Sequence, residues 1–236
     1  MLQLLRISAL PTLLSNVLAA YFIGSGNDLF LLLLLLISMS SIYLGGMVLN
    51  DYFDSEIDSI ERPERPIPSG KISLQTAFAL GMSLLSFGVV IGFICPFISG
   101  GSNFEKQVAI VLITVLFCCV ISYNAFLKRM SLIGPVIMGT CRILCYLFVF
   151  FNVERNVLIS HTIFSVCAGI YIMCLTMLSR FESNSPRIQK NVSLALSLLI
   201  PIDAVACLFF VGIIPALLVI ALYPSVILLR RYAAMT

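Results

Sequence analysis

Long apolar runs recur along the whole of this 236-residue sequence, and they constrain its fold more than any other feature. Eight runs have about the length of a transmembrane helix, which needs roughly 20 mostly apolar residues. They cover residues 8–24, 29–49, 73–98, 107–125, 131–151, 157–178, 191–210 and 212–229. Only Gly212 divides the last two runs, so one long kinked helix is the alternative to two separate spans there.

The composition excludes a water-soluble fold. Hydrophobic residues make up 60% of the chain, charged residues only 11%, and the mean hydropathy is +1.09. A soluble domain could not bury this much apolar surface. The sequence therefore predicts an all-α, polytopic transmembrane helical bundle of about eight spans, with residues 1–236 forming a single domain in the lipid bilayer. Nucleic acid is excluded as a partner, because the net charge of +3 is carried by scattered basic residues without interleaved aromatic ones.

The basic residues are distributed unevenly between the two sides of such a bundle. With eight spans, both termini and every second loop lie on one side, which receives eleven of the 14 basic residues. These are Arg6, Arg62, Arg65, Lys71, Lys128, Arg129, Arg180, Arg187, Lys190, Arg230 and Arg231. The other side receives Lys106 and Arg155, and Arg142 lies within a span. Because loops rich in lysine and arginine stay in the cytoplasm, we expect an integral, multi-pass protein with both termini cytoplasmic.

Acidic residues cluster where the second span ends, in the segment Asn50-Asp51-Tyr52-Phe53-Asp54-Ser55-Glu56-Ile57-Asp58. At about 100° of helix per residue, the side chains of residues 50, 51, 54 and 58 fall on one face, whereas residue 56 points the other way. Carboxylates that converge near a membrane repel one another and are costly to desolvate. A hard divalent cation such as Mg²⁺ relieves both problems. The alternative is an ordinary acidic loop at the membrane surface.

Basic residues follow in the same loop and in the next loop on that side. Arg62, Arg65 and Lys71 lie in a proline-rich stretch, and Lys128 and Arg129 lie just after the fourth span. Arginine suits bidentate contact with phosphate, and lysine supplies a point charge. These residues are therefore candidate phosphate ligands, although the rule that places basic loops in the cytoplasm explains their positions equally well.

Three segments of this sequence resemble the UbiA superfamily of intramembrane prenyltransferases. Asn50 to Asp58 matches the superfamily motif N-D-x-x-D-x-x-x-D, Arg65 to Gly70 reads R-P-I-P-S-G, and Tyr123 to Arg129 is similar to the segment that follows the fourth helix. The resemblance implies a UbiA-type fold. It also implies a Mg²⁺-dependent enzyme that moves an isoprenyl group from an isoprenyl diphosphate to a lipophilic acceptor.

The resemblance also implies roles for individual residues. The metal ligands would be Asn50, Asp51, Asp54 and Asp58, which would hold the donor diphosphate through Mg²⁺. The phosphate partners would be Arg62, Arg65, Lys71, Lys128 and Arg129. Among these residues, Asp54, Asp58 and Lys128 would act directly in catalysis. Tyr123 would join them by presenting its ring face to the allylic cation, or it serves as an interfacial aromatic residue.

The sequence departs from the superfamily pattern after the sixth span. The second motif of the superfamily, D-x-x-x-D, is replaced there by Leu178-Ser179-Arg180-Phe181-Glu182-Ser183-Asn184, and this variant looks like the divergent EboC-like branch. We expect Glu182 to be the remaining ligand for a second Mg²⁺ and Arg180 to bind the diphosphate directly. The alternative function is a non-catalytic carrier or transporter of a prenyl diphosphate or prenylated lipid.

Three polar residues lie inside predicted spans, namely Asn16, Arg142 and Asp203. An ionisable side chain within a membrane is generally paired or functional. Arg142 and Asp203 therefore form a buried ion pair between helices, or Arg142 lines the donor cavity. Asn16 either lines the same cavity or bonds to a neighbouring helix.

The positions of the basic residues predict the topology directly. Reporter fusions placed after Lys71 and after Lys190 should both report a cytoplasmic location, because both positions lie on the side that carries most of the lysine and arginine. An extracytoplasmic signal from both fusions would contradict this topology.

Overall fold

A computed structural model describes residues 7–154, 157–180 and 186–230. Within these ranges the regular structure is helical. Two short 3-10 turns, Ile7–Ala9 and Leu127–Arg129, accompany eleven α-helices. The helices are α1 (Leu10–Ile23), α2 (Leu29–Phe53), α3 (Ser55–Glu61), α4 (Leu74–Ile98), α5 (Asn103–Ala125), α6 (Ile133–Val153), α7 (Ile159–Ser179), α8 (Pro186–Ser197), α9 (Leu199–Phe210), α10 (Ile213–Ile220) and α11 (Tyr223–Arg230).

The helices confirm the predicted all-α membrane bundle. Six helical segments of the described chain are long and apolar enough to cross a bilayer, namely α2, α4, α5, α6, α7 and residues Asn191–Phe210 of α8 and α9. Leu10–Ile23 and Ile213–Leu229 are shorter apolar helical segments. Each of the eight predicted runs therefore corresponds to helix. Large apolar side chains such as Leu29, Ile159 and Phe209 point outward and are exposed, as expected for a surface that faces lipid.

Gly212 separates the last two apolar segments into distinct helices. Its φ of 131° is accessible to glycine but strained for other residues. This conformation ends the helical path after Phe210, and α10 begins at Ile213 and packs back against α9. The structure therefore favours two segments over one long kinked helix.

Glycines allow α2 and α4 to approach each other closely. A Cβ atom added to Gly45 would lie 2.7 Å from the Leu85 nitrogen and 2.8 Å from the Gly81 oxygen. At Gly88 it would lie 2.7 Å from the Ser38 carbonyl oxygen. That approach also lets the Ser38 hydroxyl donate a 2.7 Å hydrogen bond to the Gly88 carbonyl. Small residues serve the same purpose in membrane helix pairs generally, where close packing replaces the hydrophobic effect.

Other helices pack around α1, and three helix ends meet at one end of the bundle. The short helix α1 packs against α2, α6, α9 and α10, and most of its residues are buried. At one end of the bundle, the C-terminal ends of α2, α5 and α7 meet. There Lys128 Nζ lies 2.7 Å from Asp54 Oδ1, and Arg180 Nη2 donates to the Lys128 carbonyl at 3.0 Å. The loops after the second, fourth and sixth predicted spans therefore share one side of the bundle.

Replacing Gly45 by alanine should destabilise the bundle, because the new methyl group would press on the backbone of α4. Overpacking of this kind costs about 1–3 kcal/mol. The adjacent Gly46 is a matched control, since its added Cβ would meet only the Val120 side chain, at 3.1 Å. Thermal unfolding in detergent should give a lower melting temperature for Gly45→Ala than for Gly46→Ala. Equal melting temperatures would contradict this account of the packing.

Candidate functional site

The aspartate-rich segment runs along one side of a cavity at the joined helix ends. Asp54 ends α2 and begins α3, but its N–H still donates to the Asn50 carbonyl at 3.0 Å, and the Asp58 N–H donates to the Asp54 carbonyl at 2.8 Å. The nearly continuous helical path keeps Asn50, Asp54 and Asp58 on one face, where all three line a cavity of about 420 Å³. Glu56 is exposed on the outside, as the spacing predicted.

Arg65 is held by two of the aspartates. Its Nη1 lies 2.6 Å from Asp58 Oδ2 and 3.6 Å from Asp51 Oδ1. Asp51 and Asp58 are only 6% and 4% exposed, so the guanidinium compensates two nearly buried carboxylates. Asp51 lies behind the cavity wall, because it is buried and is not one of the residues that line the cavity.

Lys128 holds the third aspartate. Its Nζ lies 2.7 Å from Asp54 Oδ1 and donates to the Asn50 carbonyl at 3.2 Å and to Asn50 Oδ1 at 3.3 Å. Asn50 Nδ2 in turn donates to Asp54 Oδ2 at 3.1 Å. Burial lowers the pKa of Lys128 below its ordinary value, and the hydrogen bond to Asp54 and the Asp54 charge oppose that change. Lys128 therefore joins α2 to the loop after α5 by a charged contact.

The other predicted phosphate ligands differ in whether they line the cavities beside the aspartates. Arg62 is exposed and lines the 420 Å³ cavity. Arg129 is also exposed and lines an adjoining cavity of about 320 Å³, together with Asn50, Asp54 and Lys128. Lys71 is exposed and lines neither cavity.

The end of α7 closes the site opposite the aspartates. Arg180 lines the smaller cavity, and its Nη2 donates to the carbonyls of Lys128 at 3.0 Å and Met130 at 2.9 Å. Thr176 and Ser179 line both cavities. The sequence analysis missed these two hydroxyl residues, although their spacing of three in the last turn of a span puts them on one helix face. Glu182 lies outside the described residues.

An apolar pocket continues from the polar cavity into the bundle. The pocket and the polar cavity share six lining residues, namely Tyr43, Met47, Tyr123, Met138, Arg142 and Ile172. Below this junction the pocket is lined by apolar side chains such as Leu13, Met39 and Leu116. The site is therefore charged at its mouth and apolar inside, which suits an amphiphile with an anionic head. Tyr43 was not identified from the sequence, because an aromatic residue in an apolar span carries no distinguishing signal.

A buried polar network lies beside that junction and involves the three polar residues predicted inside spans. Arg142 Nη1 donates to Asn16 Oδ1, and Asn16 Nδ2 donates to Asp203 Oδ2 at 2.7 Å and to the Tyr146 hydroxyl. The amide of Asn16 thus connects the two charges, in place of the direct ion pair that was one of the two expectations. Arg142 also lines both the polar cavity and the apolar pocket, and its assignment to the donor cavity stays a prediction.

The comparisons with known proteins agree with this arrangement. The model of the UbiA prenyltransferase family matches residues 8–235, almost the whole chain. The chain belongs to the UbiA prenyltransferase family.

Relatives within the UbiA family match parts of the chain. Digeranylgeranylglyceryl phosphate synthase from Methanothermobacter thermautotrophicus is 32% identical over 133 residues, which are 56% of this chain and 41% of that protein. The Sulfolobus acidocaldarius enzyme of the same name is 34% identical over 113 residues, or 48% of this chain and 37% of that protein. The Methanoregula boonei enzyme is 43% identical over 72 residues, or 30% and 26%. The matches thus span less than half the length of these relatives.

The fold of a solved structure is similar over nearly the whole chain. A solved structure from work on digeranylgeranylglyceryl phosphate synthase in membranes superposes with a TM-score of 0.60 and covers 98% of this chain and 86% of that chain. At 22% sequence identity, this similarity concerns the fold alone.

The donor atoms at the mouth suit the Mg²⁺ on which UbiA prenyltransferases generally depend. Asn50, Asp54 and Asp58 present amide and carboxylate oxygens to the cavity, which are the ligands that Mg²⁺ prefers. In the described ranges, no three acidic, histidine or cysteine side chains are already grouped to enclose an ion. The aspartates contact Arg65 and Lys128 instead. The residue types therefore fit Mg²⁺. Binding the ion requires Arg65 and Lys128 to release the carboxylate oxygens of Asp58 and Asp54 that they now contact.

The Asp54→Asn substitution should lower the pKa of Lys128 further. The hydrogen bond and the charge of Asp54 both raise that pKa, so their loss leaves burial less opposed. The pH dependence of lysine acetylation, resolved by mass spectrometry, reports this change because only the neutral amine reacts. The Lys128 curve should shift to lower pH while the curve of Lys106, at the other end of the bundle, stays in place. An unchanged or upward-shifted Lys128 curve would contradict the Lys128–Asp54 contact.

Proposed function

We propose that this chain is an intramembrane prenyltransferase that moves an isoprenyl group from an isoprenyl diphosphate to a lipophilic acceptor with the help of Mg²⁺. One observation carries the proposal: the charged cavity that holds the aspartate motif opens directly into an apolar pocket within the bundle. The charged mouth suits a diphosphate, and the apolar pocket suits an isoprenyl chain. The relatives named digeranylgeranylglyceryl phosphate synthase support the same class of reaction.

The residues at the mouth divide into metal ligands and phosphate ligands. Asn50, Asp54 and Asp58 would hold Mg²⁺, with the Asp51 carboxylate behind them. When bound, Mg²⁺ neutralises part of the diphosphate charge and so makes it a better leaving group. The exposed guanidinium groups of Arg62 and Arg129 remain open to phosphate oxygens.

The roles of Arg65 and Lys71 follow from what each side chain contacts. Arg65 acts mainly by positioning Asp51 and Asp58, which it contacts directly. Lys71 lines neither polar cavity, so any contact with phosphate requires the loop after α3 to move.

In the reaction, the allylic C–O bond of the donor breaks and the electron pair stays with the diphosphate oxygen. Lys128, at the cavity wall, would stabilise the negative charge that develops there. Tyr123 lines the two charged cavities and the apolar pocket, where its ring would lie beside the allylic cation. The apolar lining excludes water, which leaves the acceptor as the nucleophile. A new bond to the acceptor and loss of its proton complete the transfer.

Residues at and just after the end of α7 would replace part of the second aspartate motif in binding the diphosphate. Arg180 is exposed at the cavity and already fixes the loop that carries Lys128. It can therefore bind the diphosphate while it positions Lys128. Glu182, two residues further on, would supply the one carboxylate available there for a second Mg²⁺. We place this mouth, with both chain termini, on the cytoplasmic side, as the basic residues predict.

The carrier remains the second candidate function. It is favoured by the described end of α7, where the cavity-lining residues Thr176, Ser179 and Arg180 include no carboxylate that could hold a metal ion. Purified protein incubated with labelled isoprenyl diphosphates and a membrane lipid extract, with and without EDTA, separates the two functions. Transfer that requires Mg²⁺ supports the enzyme, whereas tight binding without turnover supports the carrier.

The substitutions Asp54→Asn and Asp58→Asn should each weaken Mg²⁺-dependent binding of isoprenyl diphosphate. Loss of even an outer partner of a metal site costs about 10- to 100-fold in affinity, so loss of a charged ligand should cost at least as much. Titration calorimetry measures the effect. Glu56→Gln is the matched control, because Glu56 is exposed on the outer face and should retain the parent affinity. Parent-like binding by both aspartate variants would show that the metal site lies elsewhere.

A further inference from the structure

Another polar cavity lies at the end of the bundle opposite the mouth. It has a volume of about 240 Å³, and its lining comes from the loop between α1 and α2 and from the ends of α4 and α6. Asp28, one of the lining residues, directly precedes α2, whereas Asp54 directly follows it. A helix of 25 residues is roughly 37 Å long, so this cavity is separate from the proposed active site.

Two buried oxygen atoms of residues that line this cavity lack a hydrogen-bond partner. They are the Tyr21 hydroxyl and Asn152 Oδ1, and neither is bonded within the described parts of the chain. Tyr21 is 1% exposed and Asn152 is 3% exposed. Asn152 Nδ2 donates to the Phe148 carbonyl at 2.7 Å, which orients the amide. Because buried polar atoms nearly always have a partner, two unpaired acceptors beside one cavity point to a ligand that donates to them.

The charge of this cavity is negative. Asp28 is exposed and caps α2 through Oδ1, which accepts the N–H groups of Phe30 at 2.9 Å and Leu31 at 3.2 Å, so Oδ2 remains for a ligand. The helices α1, α4 and α6 all end beside the cavity, and the C-terminal end of a helix carries a partial negative charge. None of the described residues that line the cavity is basic. The cavity therefore favours a cation.

The acceptors come from chain segments that pack together. A Cβ atom added to Gly24, at the end of α1, would lie 3.4 Å from the side chains of both Phe150 and Val153, at the end of α6. The Asp28 charge is close enough to Tyr21 to act on its hydroxyl group. Asp28 thus lies on the open side of the cavity, with the buried oxygens of Tyr21 and Asn152 on the protein side.

A primary ammonium group matches these acceptors better than a metal ion does. It has three N–H donors, and the cavity residues supply Asp28 Oδ2, Asn152 Oδ1 and the Tyr21 hydroxyl. Ca²⁺ takes about six to eight oxygen ligands, whereas Asp28 is the one carboxylate among the described lining residues. A quaternary ammonium group has no N–H donor and would leave the buried oxygens unpaired.

The loop between α1 and α2 packs on the Tyr21 ring in a strained conformation. A Cβ atom added to Gly26 would lie 2.5 Å from the Tyr21 ring carbon that carries the hydroxyl, so the loop backbone touches the ring there. Ser25 has a φ of 60°, which residues other than glycine rarely adopt. Strain of this kind is often kept where a backbone contacts a ligand. A small outward movement of the loop would bring the hydroxyl into reach of an ammonium group.

The surface beside the cavity is apolar. Leu29 directly follows Asp28 and is 78% exposed. Phe97 lies two residues before Ser99, which lines the cavity, and is 65% exposed. Apolar chains attached to an ammonium group in the cavity would lie against these side chains and bury their surface. A soluble amine would make no such contact.

We propose that this cavity binds the headgroup of a membrane lipid through a primary ammonium group. The ammonium group donates to Asp28, Asn152 and Tyr21, and the lipid chains lie on the apolar surface beside the cavity. The bound lipid joins the loop after α1 to the ends of α4 and α6 and so stabilises this end of the bundle. The site is independent of the proposed prenyl transfer, because it uses none of the residues at the mouth.

Two phospholipids that differ only at the headgroup nitrogen test the proposal. Dioleoyl phosphatidylethanolamine has a primary ammonium group, whereas dioleoyl phosphatidylcholine keeps the charge and the chains but has no N–H donor. Native mass spectrometry of the full chain with equal amounts of the two lipids measures the preference. A hydrogen bond to a charged group contributes roughly tenfold in affinity, so we expect about a tenfold preference for the ethanolamine lipid. Equal binding of the two lipids would overturn the proposal.

Three conservative variants locate the preference. Asp28→Asn removes the charge but can still cap α2, because asparagine caps helices as well as aspartate does. Tyr21→Phe removes the hydroxyl alone, and Asn152→Leu removes the amide oxygen at similar volume. Each should reduce the preference to about threefold or less. Glu56→Gln, exposed near the mouth, is the matched control and should keep the preference of the parent. A preference that survives in all three variants, or one lost in the control, would show that the lipid binds elsewhere.

The melting temperature of Tyr21→Phe in detergent shows whether its hydroxyl is truly unpaired. We expect a value equal to or above that of the parent, because a buried hydroxyl without a partner contributes no stability. A clearly lower value would mean that the hydroxyl is already paired within the protein, which contradicts the proposal.

The headgroup without its chains separates a lipid site from a site for soluble amines. Phosphoethanolamine should compete at least about a hundredfold less well than the ethanolamine lipid, since it leaves the apolar surface uncovered. Equal competition would overturn the assignment of the site to a lipid.

Discussion

Charge compensation inside a nearly water-free bundle is the constraint on which the rest of this structure depends. A carboxylate next to hydrocarbon has little water to solvate it, so the protein must supply its partners. Asp58 obtains its partner Arg65 from the loop that follows its own helix, α3, and Asp54 obtains Lys128 from the loop after α5. These contacts tie the ends of α2, α3 and α5 together. The cavity exists because these chain segments are held around it.

The same contacts explain how a strongly charged mouth can precede an apolar interior. Each aspartate at the mouth is close to a basic side chain, so its negative charge is compensated before a substrate arrives. Arg62 and Arg129 are exposed and face the cavities without an aspartate partner among the ion pairs of the described residues. The cavity therefore keeps an excess of positive charge where a diphosphate would lie. Such an arrangement is organised in advance for a developing anion.

The end of α7 is where this chain differs in chemistry from the pattern of its superfamily. Thr176 and Ser179 line the cavities while their hydroxyl groups donate to carbonyls of α7, and Arg180 contributes a guanidinium group. Because Arg180 also binds the carbonyls of Lys128 and Met130, it couples α7 to the loop after α5. A basic residue at this position can support the loop and attract phosphate at the same time. The Arg142 network adds a second polar position further inside, carried by different helices.

The sequence by itself determined the membrane bundle, because apolar runs of about 20 residues have few stable alternatives to helices in a bilayer. It also indicated the face shared by Asn50, Asp54 and Asp58, since helical spacing is a local property. The ion-pair partners of the aspartates could not be read from helical spacing. Arg65 contacts Asp51 and Asp58 while Arg62 stays exposed, because the proline-rich loop that carries both arginines follows a particular path. Tertiary structure likewise decided that Asn16 connects Arg142 to Asp203, because residues more than one hundred positions apart meet only once α1, α6 and α9 have packed.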